Sequence, residues 1–331
     1  MRSRRSSLAI ARGGSALRAL AGVLAATLVT AACSSTTDPA TDPASGTHTA
    51  ATSSAEPVPV VASTNVWGDI AAQIGGSRVD VQSLISDPSQ DPHSFQPSGR
   101  DELAVSRAAV VIENGGGYDD VVAQMVQAVH TDPRIVTATD AARTAIAASG
   151  DDVGDNEHVW FDLDAVTAVA GAIAEALSSV DPAGRADYRS RLATFTASMD
   201  ALHQAVATIR HAHAGAPVAI TEPLPLYLIQ AAGLRNVTPP EFSEAVEEGI
   251  DVTPTQLEQT LALFTGHRVD ALLYNEQSTG AQTDQVLAAA KAAGVPVVGV
   301  GELLPQGTHY QHWMDRTIAD LATALDHGAS T

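Results

Sequence analysis

The chain has 331 residues, enough for two domains of ordinary size, and is 45% apolar with only 4% aromatics, so its core is mostly Ala, Val, Leu and Ile. The net charge of −20 argues against nucleic acid or an anionic membrane surface as partner, since phosphates are repelled, yet it favours cations. Lys291 is the only lysine, which leaves almost nowhere for lysine-based covalent chemistry.

Residues 1–32 read as a signal peptide. Arg2, Arg4, Arg5, Arg12 and Arg18 form a basic n-region, and the apolar run from Ala19 to Ala32 is too short for a stable span. Small residues precede Cys33, the only cysteine, and this junction resembles a bacterial lipobox, in which the cysteine is lipidated and becomes the first mature residue. Five of the 18 basic residues leave with the signal and no acid does, so 13 remain against 38 acids, a net charge of −25. With Cys33 acylated, neither a disulfide nor a thiolate ligand remains. Residues 33–57, rich in Ser, Thr, Asp and Pro, read as a flexible tether with a reach of about 25–30 Å.

From residue 58 onward, short apolar runs alternate with amphipathic stretches. Strands are expected at 58–64, 79–85, 108–114 and 134–139, and again at 217–221, 269–275 and 295–301. Continuous apolar strands separated by helices imply a parallel sheet covered on both faces. The expected fold is α/β: two lobes, 58–180 and 215–327, each with a mainly parallel sheet flanked by helices, joined by one long rigid helix over 181–214. Asp181-Pro182 starts that helix as a cap and first turn. Tyr188, Leu192, Phe195, Met199, Leu202, Val206 and Ile209 then recur at spacings of three and four, one unbroken apolar stripe.

In open parallel sheets, ligands bind beyond the carboxyl ends of the strands. His93, in "DPSQDPHSFQPS", follows the second strand and is bracketed by Pro92 and Pro97. His158 follows the 134–139 strand and precedes a helix capped by Asp162. Glu222 ends the 217–221 strand ahead of Pro223 and Pro225, and Glu302 ends the 295–301 strand. Two neutral imidazoles and two carboxylates cancel a divalent charge, so meeting in an interlobe cleft they would form a closed metal site. The prolines pre-set the backbone that carries them. Separations of 64 to 80 residues do not by themselves establish a site. "ENGGGYDD" lacks the phosphate-loop spacing and reads as a tight strand-to-helix turn.

The stretches "VVASTNVWGDIAAQIGG", "SDPSQDPHSFQPS", "VVIENGGGYDD", "EHVWFDLDAV", "ITEPLPLYLIQAAGL" and "VPVVGVGELLPQGTHYQHWM" together resemble the metal-binding family of ABC-transporter solute-binding proteins, the receptors of zinc and manganese importers. The resemblance covers residues 58 to 325 and implies two α/β lobes joined by a long helix. It implies His93, His158, Glu222 and Glu302 as metal ligands, with a divalent ion (Mn²⁺ or Zn²⁺, Fe²⁺ also admitted) as cargo and no catalytic cofactor. It further implies a permease with its ATPase as partner, a monomeric receptor, and attachment to the outer face of the cell membrane through Cys33. Two departures stand out. The loop before His158 has no histidine of its own, unlike the long His-rich loop of many zinc receptors. The fourth ligand is Glu302 where the family more often has Asp, with Glu276 as reserve candidate. The rival readings are an extracytoplasmic zinc metallohydrolase, for which the sequence has no HExxH, no GxSxG and no obvious general base beside the quartet, and a surface adhesin.

Overall fold

The computed structural model describes residues 56–88, 90, 92–129, 131–149 and 156–328; the signal segment, Cys33 and nearly all of the tether lie outside them. The first lobe contains β1 (Val58–Thr64), α1 (Asn65–Gly75), β2 (Val79–Ile85), α2 (Gly99–Arg107), β3 (Val110–Glu113), α3 (Asp120–Ala128), β4 (Arg134–Thr137), α4 (Ala138–Ser149) and α5 (Leu163–Val180). The long helix α6 (Arg185–His213) follows. The second lobe contains β5 (Pro217–Ile220), α7 (Leu226–Ala231), β6 (Arg235–Asn236), α8 (Pro240–Glu247), α9 (Pro254–Thr265), β7 (Ala271–Asn275), α10 (Ala281–Ala292), β8 (Val297–Val300) and α11 (Tyr310–Gly328).

Both sheets have four strands, all parallel, ordered β2-β1-β3-β4 and β6-β5-β7-β8. The central strands are the continuous apolar runs seen in the sequence; Ala271–Asn275 is buried at every position because helices cover both faces. Two local expectations are corrected. The 134–139 segment is a strand only to Thr137, and the Ala-rich α4 follows, so His158 lies beyond a helix rather than directly after a strand. The short edge strand β6 was not anticipated; at two residues it is too brief to show a period.

The helix expected over 181–214 begins as a 3₁₀ turn, Pro182–Gly184, capped by the Asp181 carboxylate, and continues as α6 for 29 residues, about 43 Å at 1.5 Å per residue. Its stripe is buried at Tyr188, Phe195, Met199, Leu202, Val206 and Ile209. These side chains belong to one apolar cluster that runs from Val60 and Ile112 of the first sheet to Ile220 and Leu273 of the second. The two lobes therefore share a core instead of hanging from a bare spacer. Polar contacts tie the same seam. Asn65 pairs with the backbone of Leu304 in both directions at 2.9 Å, Gln73 with Gln311, and the Tyr310 hydroxyl donates to the Trp160 carbonyl at 2.8 Å.

Candidate metal centre

The carboxyl ends of both sheets face the seam, and the expected ligands are carried there. Buried Pro92 opens a single 3₁₀ turn, Pro92–Ser94, which Phe95 closes by donating to the Pro92 carbonyl at 3.1 Å. Phe95 in turn packs with Ile85 and Leu303, the residue after Glu302, so the His93 loop is tied to the Glu302 segment. His93 is exposed at the mouth, its side chain keeping 30% of its accessible surface, whereas that of His158 keeps 1%. Their ring centroids are 6.4 Å apart.

The tautomer of His158 follows from its neighbours. Asn156 Oδ1 accepts from the His158 backbone N–H at 3.0 Å, while Asn156 Nδ2 donates to the Pro223 carbonyl at 3.1 Å. With the amide oriented by these unambiguous partners, the oxygen is what faces His158 Nδ1, at 2.7 Å. Nδ1 therefore carries the proton and Nε2 turns its lone pair toward the seam. Burial, with a smaller push from His93, lowers the pKa of His158 to about 3, so the ring is neutral and ready to ligate.

Glu302 is 2% exposed and oriented at both ends. The Tyr118 hydroxyl donates to its Oε2 at 2.9 Å, Asn275 Nδ2 donates to its Oε1 at 3.0 Å, and its backbone N–H donates to Gln277 Oε1. Tyr118 reaches it because Gly115, Gly116 and Gly117 all take positive φ, and Asp119 accepts from the Asn114 and Gly115 amides to close the turn. "ENGGGYDD" is thus a turn, as its sequence implied, and it places an aromatic on the seam. Tyr118 also packs edge-on against His93 and His158.

His93, His158 and Glu302 offer ligand atoms that all lie within 4.8 Å of one another, with His93 Nε2 3.6 Å from Glu302 Oε2. Glu222 is not in that group. It is buried two residues after β5 and linked to Glu302 through Asn275, whose Nδ2 also donates to Glu222 Oε2. One amide thus holds both carboxylates. The reserve candidate Glu276 is corrected: it is exposed and its carboxylate lies over Gly299, on the opposite face of β7 from the site. Alternation along the strand puts Asn275 inward and Glu276 outward.

Sequence reasoning missed Glu247 of α8. Its Oε1 is 3.5 Å from His158 Nε2, and with Glu157 and His158 it makes a second cluster within 4.8 Å. Burial, then the charges of Glu157 and Glu222, a hydrogen bond with Glu157, and the charge of Glu302 push its pKa up to about 9. Four carboxylates surround two histidines with no lysine or arginine among them, an arrangement that a cation relieves.

A family model described as "Zinc-uptake complex component A periplasmic" matches residues 60–324. The metal ABC transporter substrate-binding lipoprotein SloC of Streptococcus mutans serotype c is 27% identical over 152 residues, 44% of this chain and 49% of that protein. The manganese ABC transporter substrate-binding lipoprotein PsaA of Streptococcus pneumoniae serotype 4 is 28% identical over 158 residues, 46% of this chain and 51% of that protein. The chain thus spans about half the length of these relatives. The solved periplasmic zinc-binding protein TroA from Treponema pallidum shares the fold, with a TM-score of 0.67 at 17% identity over 82% of this chain and 99% of that one. With the family model covering most of the sequence, the chain belongs to the family of periplasmic zinc-uptake complex component A proteins.

Proposed function

We propose that the chain is the extracytoplasmic solute-binding component of an ABC importer, a monomer that captures one divalent transition metal ion between its lobes and delivers it to a permease with its ATPase. His93, His158, Glu222 and Glu302 are its ligands, and Cys33 is its lipid anchor. The observation that carries the reading is the convergence of His93 and His158 of the first lobe with Glu302 of the second inside 4.8 Å. Two neutral imidazoles and two carboxylates neutralise a divalent ion, and partners already orient the acids: Asn275 both of them, Tyr118 and Gln277 the second. A quartet of protein ligands fits a bound cargo ion, whereas a catalytic zinc typically has three protein ligands and a position open for water.

Mn²⁺ is proposed over Zn²⁺. Two carboxylates and no thiolate suit a harder ion, and Glu157 and Glu247 add further oxygen donors beside His158. Zn²⁺ still binds more tightly in vitro, since affinity at a mixed N/O site rises along the divalent series. Elemental analysis of protein taken from its native envelope tests the cargo, together with growth rescue of a deletion strain by each metal. Manganese in the protein and rescue by manganese are expected; zinc alone in both would overturn the preference. Glu222→His is expected to tilt selectivity toward zinc.

A further inference from the structure

The second cluster, Glu157, His158 and Glu247, shares only His158 with the inner one. The shared group is an almost fully buried imidazole whose Nε2 makes no hydrogen bond among the described residues and faces Glu247 Oε1 at 3.5 Å. A cation placed between the Nε2 lone pair and this carboxylate oxygen would be attracted to both. The cluster also borders a cavity. His93, Glu157, Glu244, Glu247 and Glu248 all line one cavity of about 610 Å³ beside the inner ligands. Glu244 and Glu248 are exposed, Glu157 and Glu247 half-buried, and His158 buried, so burial increases along the row of donors. Glu244, Glu247 and Glu248 stand at i, i+3 and i+4 along α8 and its last turn, a spacing that stacks like charges on one helix face. A cleft lined by one sign of charge concentrates the counter-ion.

We propose that Glu157 and Glu247, with His158, form an outer station that holds an incoming divalent cation, still partly hydrated, and hands it to the inner ligands by exchange at the shared His158 Nε2. This rests on the metal-receptor reading above and adds two ligands and an order of events to it. Oxygen donors at the mouth suit a hydrated divalent ion, which sheds water stepwise as nitrogen and buried carboxylate replace it. A station on the path lowers the barrier in both directions, so it accelerates loading and release alike without changing the equilibrium.

The test is stopped-flow association and dissociation of Mn²⁺ alone and Zn²⁺ alone, with the full chain in detergent. The variants are Glu247→Gln and Glu157→Gln, with Glu276→Gln, an acid outside the cavity, as control and circular dichroism to check folding. Each cavity variant is expected to slow association and dissociation together by about ten-fold, with Kd unchanged within about two-fold; Glu276→Gln should match the parent. Unaltered rates would overturn the station, as would slower association with unchanged dissociation, which reduces Glu247 to a steering charge. A weakened Kd with unchanged association would also overturn it by making Glu247 an inner ligand. Absence of binding by the parent chain would instead overturn the receptor reading itself.

Discussion

One side-chain amide decides which nitrogen of His158 carries the proton. Asn156 Oδ1 accepts from His158 Nδ1–H because its own orientation is set by the His158 backbone and the Pro223 carbonyl. Asn156→Ala frees the ring to rotate and change tautomer, and partners of this kind are typically worth 10–100-fold in affinity. Isothermal titration should show a loss in about that range with folding intact; an unchanged Kd would mean that packing against Trp160 and Tyr118 is enough to orient the ring. Of the candidate positions, Glu222 and Glu302 were legible because each follows a strand and His93 because it sits between prolines, whereas His158 lies beyond α4. Their orienting partners were not. Asn275 and Glu276 occupy the end of the same strand, and only the strand's parity, anchored by Leu273 and Tyr274 on opposite faces, tells which one looks inward. Glu247 was hidden for a different reason: it lies on a helix among other acids, and such a run ordinarily reads as a solvated face.

Among the elements, α6 and the glycine turn have the most testable physics. Asp181 accepts from the Gly184 backbone, the Tyr188 hydroxyl at 2.7 Å and Arg78 at 3.2 Å, capping the start of the long helix. Asp181→Ala should cost about 1–2 kcal/mol, the upper part of the usual cap range, in urea unfolding. The Tyr188 hydroxyl, then the Gly184 amide and Arg78, hold this carboxyl below its ordinary value against a smaller burial penalty. The native state therefore binds that proton less readily than the unfolded chain. This stabilisation is complete above the ordinary carboxylate pKa and is lost as pH falls through the depressed native value. Acidification should lower the urea midpoint of the parent more than that of Asp181→Asn; equal slopes would remove Asp181 as the cause. In the "ENGGGYDD" turn, Gly115 has φ +76° and a Cβ there would meet Thr137 Cγ2 at 2.5 Å. Gly115→Ala should cost about 1–3 kcal/mol and also weaken metal binding, because Tyr118 is carried by the same turn. Loss of stability with intact affinity would separate the two. The apolar period made α6 visible in the sequence, whereas α4 was missed because Ile135, Val136 and Thr137 run into its Ala-rich start without a break.

For the whole molecule, the shared apolar cluster through α6 and the polar ties across the seam make wide hinge opening costly, since opening would expose core that both lobes bury. Loading should therefore involve side chains and loops at the mouth. Scattering profiles of metal-free and loaded protein should superimpose, and a contraction of several ångströms in radius of gyration would contradict this. The lobes, the rod and the strand-end placement of Glu222 and Glu302 could be read from apolar periodicity; the seam could not, because contacts such as Asn65 with Leu304 join residues with no local pattern between them. The central claim is that both lobes together hold one divalent ion, and anomalous diffraction from manganese-loaded crystals tests it most directly. A single strong peak is expected within coordination distance of His93, His158 Nε2, Glu222 and Glu302 at once. A peak bound by one lobe alone, or at a surface pair such as His309 and Asp69, would contradict it.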